Sequence, residues 1–284
     1  MSDSVWSESV YLDAVSPDGT SGLVLRLGRY PSLRTAWVWA HVFTAEGGVG
    51  FNDQQVACDQ TVVAVEDPDV TYSNADGSAS FHRDGPRGAI RSGHAAVRVA
   101  AHEGTTVPDG PGSIPLVVDA TFTPHGVLPG AGNLPGRTEE HGTVRVRASW
   151  PGGGLDLEAL GQWHEQHQDA PRFQVPFTYL TVRGAGLSLV AIVGPKASGG
   201  IVRRKGEGLR ATAVRIAAPA DERELVADLD DGSTLIGLLR TTHRYSVPIG
   251  DRRRPGTLVT GTLDGTPVSG CANHWTPTEP KLVR

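Results

Sequence analysis

The chain has 284 residues, a formal net charge of −5 at pH 7 and 20% charged residues. This mild negative charge provides no basic surface for nucleic acid or anionic lipid, so neither is expected as a partner. The 36 glycines and 20 prolines are spread through the chain, which favours many short strands joined by turns.

The two cysteines, Cys58 and Cys271, are far apart in the chain and match no metal-binding spacing. They are typical of reduced thiols, so we expect a cytoplasmic protein. The first residues do not resemble a signal peptide, and no apolar run approaches the roughly 20 residues that span a bilayer. No Walker, Rossmann or G-x-S-x-G motif is present, and no cofactor is expected. The sequence does not indicate an oligomeric state.

In the first half, alternating leucines predict a strand over Gly22–Arg29. The next predicted strand, Ala36–Phe43, is the most aromatic of the chain. Its period of two places Trp37, Trp39 and His41 on one face, where they line either a packed core or the wall of an aromatic cavity. Further strands are predicted over Gln55–Glu66, Ala79–Arg83, His94–Ala101 and Leu116–Thr123.

The turn-rich segment Pro124–Arg137 is predicted to connect two domains or to cover a pocket. Alternation restarts at Glu140–Trp150. One short helix is predicted over Pro219–Leu225, because a proline followed by acidic residues suits a helix start. Later strands are predicted over Phe177–Arg183, Leu187–Val193, Gly208–Ala218, Val226–Leu229, Ser233–Tyr245, Gly256–Leu263 and Pro267–His274. Two runs of strands therefore predict an all-β chain with very little helix, as two antiparallel barrels side by side over residues 1–137 and 138–284.

The stretch densest in groups that transfer protons is WHEQH, five consecutive residues within the segment Leu155–Phe173. An internal glycine and flanking prolines favour a strand that runs into a loop over a helix. With a period of two, Trp163, Glu165 and His167 share one face of this strand, and His164 lies on the other. Each face therefore presents at least one imidazole.

Three segments carry a resemblance to a known family: SESVYLDAVSPDGTSGLVLRLGRYPSLRTAWVWAHVF, RTEEHGTVRVRASW and GQWHEQHQ. In order and pattern they resemble the lipocalin-like double-barrel proteins that include carotenoid 1,2-hydratase (hydroxyneurosporene synthase) and related natural-product cyclases and Diels-Alderases. The resemblance implies two lipocalin-like barrels. The family motif His-Asp-His-x-Trp-Gly falls on His164, Glu165 and Gln166, or on His167 after a slip of one residue. Its Trp-Gly is replaced here by Gln168-Asp169.

The resemblance also implies a cofactor-independent enzyme that hydrates, isomerises or cyclises an apolar terpenoid or polyketide in a pocket at or between the barrels. Such chemistry requires a proton donor in a dry pocket and aromatic faces near a developing carbocation. Glu165 is the predicted donor, because an indole wall raises the pKa of a carboxyl group. His164 or His167 is predicted to orient it or to relay the proton. The side chains predicted to bind the substrate are Trp37, Trp39, His41, Trp163, Phe177 and Tyr179.

Other interpretations stay open. Glu165 and the histidines would also satisfy one another at a domain interface without any catalytic role. A metal would need a further ligand such as His141, because a strand points the two imidazoles of WHEQH to opposite faces, so no metal site is predicted. Glu139 and Glu140 come just before a strand, where they would reach the domain interface or, as is usual for a charged pair at such a position, remain solvated. A carrier of an apolar ligand, or a protein-interaction scaffold, would need no turnover.

Overall fold

The computed structural model describes residues 7–63, 67–127, 136–169, 175–195 and 198–276. Within these ranges the regular structure is all strand apart from one short 3-10 helix, Pro31–Leu33, which confirms the predicted fold class. The strands of the first half are β1 (Ser7–Val15), β2 (Gly22–Tyr30), β3 (Thr35–Thr44), β4 (Gly47–Ala57), β5 (Asp69–Ser73), β6 (Ala79–Asp84), β7 (Ser92–Glu103), β8 (Ile114–Val127), β9 (Arg137–Trp150) and β10 (Gly153–Gln168). The strands of the second half are β11 (Thr178–Gly184), β12 (Leu187–Val193), β13 (Ser198–Arg204), β14 (Glu207–Ile216), β15 (Glu222–Leu229), β16 (Thr234–Ile249), β17 (Arg252–Leu263) and β18 (Thr266–His274).

The first ten strands form one antiparallel sheet, in the order β4-β3-β2-β1-β10-β9-β8-β7-β6-β5. A short additional pairing of β4 with β7, with Val49 opposite Glu103, curls this sheet into the first barrel, here called barrel 1. Alternate residues of each strand point inward, because the side-chain period of a strand is two. The leucines of β2 therefore fill the core together with the indole of Trp163 on β10.

The last eight strands close into a second barrel in chain order, here called barrel 2, because β11 pairs with both β12 and β18. Its core is built from inward-facing aliphatic residues such as Leu180, Leu189, Leu225 and Val259. The two barrels lie side by side, as the two runs of strands predict. No helix in the described ranges is long and apolar enough to cross a membrane.

The change from one sheet to the other comes later in the chain than the boundary predicted between residues 137 and 138. Both β9 and β10 belong to the sheet of barrel 1, and the next strand, β11, is the first of barrel 2. The described ends of the segment Pro124–Arg137 belong to β8 and β9, which pair with each other, so this loop joins neighbouring strands of one barrel. Residues 128–135 lie outside the described residues.

Two local predictions are corrected by the structure. The helix predicted over Pro219–Leu225 is wrong, because β15 begins at Glu222 and alternates buried and exposed residues against β14 and β16. Here the barrel's hydrogen bonding outweighs the local helix-start signal. The strand predicted over Gln55–Glu66 ends early, at Ala57. Its last three residues, 64–66, lie outside the described residues.

A third apolar cluster packs the barrels against each other. It joins Trp39 and Phe43 of β3 to Tyr245 of β16 and to Trp275, whose ring centroid lies 5.8 Å from that of Trp39. The aromatic face of β3 is thus on the outside of barrel 1 and is covered by barrel 2. Burial of this surface stabilises the association of the two barrels.

Candidate functional site between the barrels

The WHEQH stretch lies on β10, and its side chains alternate as the period of two predicts. Trp163 and Glu165 point into barrel 1, where the indole packs beside Phe81 with ring centroids 6.0 Å apart. His164 points the opposite way, towards Tyr179 of barrel 2, with ring centroids 6.3 Å apart. One strand therefore supplies residues to two separate polar groups.

Glu165 is fully buried inside barrel 1 and is surrounded by hydrogen-bond donors. Tyr72 donates its hydroxyl to Oε2 at 2.7 Å, and Trp163 donates its indole N–H to Oε1 at 2.8 Å. Nε of the buried Arg83 lies 2.8 Å from the same Oε1. The carboxyl group is therefore arranged as an acceptor and an ion-pair partner.

Two further titratable groups lie near Glu165. Glu140 is buried, accepts a hydrogen bond from the backbone N–H of Ile90 at 3.3 Å, and has its pKa raised to about 7 by burial and by the charge of Glu165. His167, the third residue of the predicted catalytic set, lies with Nε2 3.5 Å from Oε2 of Glu8. The interior of barrel 1 thus combines acidic, basic and phenolic groups.

The outer face of β9 and β10 carries a second buried polar group, here called the Glu139 network: Arg137, Glu139, Gln162, His164 and Tyr179. Oε1 of Glu139 accepts a hydrogen bond from Nε of Arg137 at 2.5 Å and lies 3.2 Å from Nδ1 of His164. Oε2 accepts from the hydroxyl of Tyr179 at 3.0 Å and from the amide of Gln162. Because Tyr179 belongs to β11, this network links the two barrels.

The charge state of the Glu139 network follows from its contacts. Burial by itself raises the pKa of Glu139, but Arg137 and His164 outweigh that effect and lower it to about 2. Burial and the neighbouring Glu139 charge raise the pKa of Tyr179 well above its usual value. At neutral pH Glu139 is therefore an anion, and Tyr179 is a neutral phenol that donates a hydrogen bond.

A buried ion pair joins β1 of barrel 1 to β11 of barrel 2. Nη2 of Arg183 contacts Oδ1 of Asp13, and both side chains are almost inaccessible to solvent. Burial raises the pKa of Asp13, and the Arg183 guanidinium opposes that rise. Each charge compensates the other in a dry interface, where an unpaired charge is costly.

Beside this ion pair lies a cavity of about 230 Å³ between the barrels. Its wall consists of His125, His141, Gly142, Leu160, Arg183, Gly184, Gly186, Leu187, Ser188, Arg203 and Gly206. His141 is buried, and neither of its ring nitrogens has a protein hydrogen-bond partner among the described residues. Burial, with a contribution from Arg183, holds the pKa of His141 well below its usual value, so the imidazole is neutral.

The other predicted substrate-binding residues occupy different parts of the structure. Trp37 packs on Tyr30 with ring centroids 4.8 Å apart, and Trp39 lies under the guanidinium of Arg26 at 4.5 Å. Nε2 of His41 lies 2.9 Å from the amide oxygen of Asn52, and burial lowers the pKa of His41 to about 4. The ring of Phe177 lies 6.3 Å from that of Trp275. These residues and Trp163 lie outside the cavity wall, and their role in binding substrate stays a prediction.

Sequence reasoning gave little weight to several residues that the structure brings together. The sequence suggests His141 only as a possible metal ligand and favours a solvated Glu139, whereas both are buried at the interface. The pairing of Asp13 with Arg183 leaves no local pattern in the sequence, because their strands are distant along the chain. The available signal for Asp13 is one acidic residue between the apolar residues Leu12 and Ala14.

Solved structures share this two-barrel fold. The crystal structure of CghA matches with a TM-score of 0.62 and 13% identity, covering 95% of this chain and 87% of that chain. The structure of CghA with Sch210972 matches with a TM-score of 0.60 and 13% identity, covering 95% and 88%. Kievitone hydratase from Nectria haematococca gives a TM-score of 0.44 and 10% identity over 94% and 87%, too weak a likeness to carry an argument. At 13% identity the likeness to CghA shows the fold alone.

The family assignment comes from the sequence. Residues 1–230 match the family described as "Domain of unknown function (DUF7064)". This match covers more than half of the 284 residues, so the chain belongs to that family. No curated protein matches the chain.

Proposed function

We propose that the protein is a cofactor-independent enzyme that acts on a largely apolar small molecule, such as a terpenoid or polyketide, in the cavity between the barrels. The reaction is proton-assisted isomerisation, cyclisation or hydration. His141 supports this proposal most directly: it is a buried imidazole in the cavity wall without a protein hydrogen-bond partner among the described residues. Buried polar groups are normally paired, and a bound substrate would supply the partner that the fold does not.

His141 presents a hydrogen-bond acceptor to the cavity, although its lowered pKa makes it a weak base. Its low pKa keeps the ring neutral at pH 7, and a neutral imidazole has one nitrogen lone pair available. Removal of a proton from a hydroxyl, or from a carbon next to a carbonyl, starts an isomerisation or a cyclisation. Arg183, in the same wall, has its charge compensated by Asp13 but retains N–H groups that would donate hydrogen bonds to the oxygen on which negative charge develops.

The Glu139 network has a positioning role in this proposal. Glu139 is already ionised at neutral pH and accepts hydrogen bonds at both oxygens, so it is not the proton donor. Its contacts fix Tyr179 and His164 across the interface beside the cavity. The network is not part of the described cavity wall, so its role is to hold the two barrels together beside it; orientation of a substrate by a fixed wall supplies several kcal/mol.

The interior of barrel 1 is the second location to test, because the sequence predicts Glu165 as the acid with His164 or His167 as its partner. There Glu140 is the carboxyl group that is able to donate a proton near pH 7. The resemblance to carotenoid 1,2-hydratase and the cytoplasmic location belong to the same proposal. The two buried cysteines, both free thiols, are compatible with a reducing compartment.

The test uses the purified full chain. Native mass spectrometry followed by solvent extraction would identify any co-purified small molecule, and a panel of terpenoid and polyketide compounds would be screened for products that share the substrate mass or differ by one water. We expect turnover that falls roughly 10²-fold or more in His141→Phe, which keeps a ring of similar size but removes both nitrogens. His94→Phe is the control, because the side chain of His94 is partly exposed, pairs with Asp119 on the surface and lies outside the cavity wall.

The outcomes separate the alternatives. Loss of turnover in Glu165→Gln with full activity in His141→Phe would move the reaction to the interior of barrel 1. A ligand that is bound and released unchanged by the wild-type protein and by both variants would identify a carrier. Absence of any bound compound or product across the panel would count against an enzyme and a carrier alike.

A further inference from the structure

The wall of the interbarrel cavity is basic. It contains two arginines and two histidines, Arg183, Arg203, His125 and His141, and no aspartate or glutamate among the described lining residues. The remaining wall is formed by glycines, two leucines and one serine. Basic groups at one end of an apolar site typically recognise a negatively charged group on the ligand.

The two arginines differ in how their charges are compensated. Arg183 forms a buried ion pair with Asp13, so these two residues together are neutral. Arg203 donates Nη1 to the backbone carbonyl of His125 at 2.9 Å and forms no ion pair with any described residue. A carbonyl oxygen satisfies one N–H of the guanidinium without cancelling its charge.

His141 adds a hydrogen-bonding group to this wall but does not add a charge. Burial keeps its imidazole neutral, so one ring nitrogen is a donor and the other an acceptor. The ion pair is neutral overall and the His141 ring is uncharged. Arg203 therefore supplies the positive charge that remains uncompensated. A singly charged ligand would match this charge, whereas a diphosphate would bring an excess of negative charge.

We propose that the cavity binds the carboxylate end of an amphiphilic substrate, with Arg203 as its counter-ion and His141 and Ser188 as further hydrogen-bonding groups. A guanidinium presents parallel N–H donors that match the two oxygens of a carboxylate. The volume also fits, because about 230 Å³ is below the roughly 300–1,000 Å³ of sites that enclose a whole drug-sized ligand. The cavity therefore takes the polar end of the molecule, and its apolar body extends beyond. This assignment depends on the proposed function in one respect, the class of substrate to which the ligand belongs.

Arg203 is the residue to change. Removing Arg183 would leave Asp13 buried without a partner and would destabilise the protein. Arg203 is only half-buried and pairs with no carboxylate in the described part of the chain, so its removal leaves no acidic group unpaired there. Arg203→Gln removes the charge and shortens the side chain but keeps a polar group able to form hydrogen bonds. Arg204→Gln is the matched control, because Arg204 is the next residue of β13 and pairs with Asp264 on the surface, outside the cavity.

The experiment is a calorimetric titration of the full chain at low ionic strength with cinnamate and octanoate, each compared with its own primary amide. We expect each acid to bind at least about tenfold more tightly than its amide, as charge-assisted hydrogen bonds require. This preference should vanish in Arg203→Gln, persist in Arg204→Gln and weaken at high salt.

Several results would overturn the assignment. These are equal binding of acid and amide, no binding of either, the same loss in both arginine variants, or tighter binding of phenyl phosphate than of cinnamate. Turnover that depends on His141 without any preference for acids would refute the carboxylate assignment alone. A preference for acids in a protein without turnover on any compound of the panel would refute the proposed function alone.

Discussion

Glu139 and Glu140 are adjacent on β9, and their carboxyl groups respond to the fold in opposite directions. Glu139 points into the interface, where Arg137 and His164 outweigh burial and bring its pKa down to about 2. Glu140 points into barrel 1, where burial raises its pKa to about 7. The substitution Glu139→Gln removes one of these groups and leaves the other as an internal comparison.

The size of the effect follows from linkage between ionisation and folding. The ordinary pKa of a glutamate is 4.5, and the folded value for Glu139 is about 2. Because the folded value is lower, the ionised carboxylate stabilises the folded state fully above the unfolded pKa, and this stabilisation is lost as the pH falls towards the folded pKa. The difference corresponds to about 3 kcal/mol of unfolding free energy.

The assay is urea unfolding of wild type and variant, followed by tryptophan fluorescence across the acid range. The stability advantage of wild type over Glu139→Gln should shrink by about 2 kcal/mol between about pH 6 and about pH 3. For the control, Glu140→Gln, the stability difference from wild type should change with pH in the opposite direction. Glu140 has a raised folded pKa, so its contribution is present below pH 4.5 and is lost as the pH rises through about 7. The unfolding free energy of Glu140→Gln should therefore increase relative to that of wild type as the pH rises.

A constant difference between wild type and Glu139→Gln across this range would refute the reasoning. It would mean that Glu139 titrates alike in the folded and unfolded chains, and that Arg137 and His164 do not hold its charge. The same pH dependence in both glutamine variants would likewise show that the two carboxyl groups do not face different environments.

Two further substitutions test the buried contacts. Asp13→Asn leaves Arg183 without a counter-ion in a dry interface and should lower the unfolding free energy by about 3 kcal/mol, measured by urea unfolding; a loss below about 1 kcal/mol would contradict the buried pair. Tyr72→Phe removes the hydroxyl that donates to Glu165 at 2.7 Å and should cost about 1–3 kcal/mol in the same assay. If unfolding of Tyr72→Phe matched wild type, the hydrogen bond to Glu165 would not contribute to stability.

The sequence was sufficient to predict many of the strands and the two faces of WHEQH, but it did not predict β1, β5 or β13. Side chains alternate on any strand, so the separation of Glu165 from His164 required no knowledge of neighbouring strands. Prediction of the cavity, in contrast, requires knowledge of which strands are neighbours. Asp13 meets Arg183 across two barrels, and pairing between strands distant in sequence leaves no local pattern. His141 is buried by contacts of the same kind.

The predicted helix failed for a related physical reason. A proline and acidic residues before Leu225 form a strong local signal, but the segment lies between two strands that require its backbone hydrogen bonds. Arg223, Leu225, Ala227 and Leu229 then alternate towards the inside of the barrel. The same alternation was present in the sequence and was outweighed there by the turn chemistry of the preceding proline.

The position of β1 in barrel 1 governs the order in which this chain is able to fold during its synthesis. β1 is hydrogen-bonded to β2 on one side and to β10 on the other, so its second neighbour is translated only after eight other strands. Until Gln168 has left the ribosome, one edge of β1 has no partner, and exposed strand edges promote aggregation. Barrel 2 has the same arrangement, because β11 must wait for β18. Each half therefore closes late, and a chaperone that covers the edges of β1 and β11 would favour a high yield of folded protein.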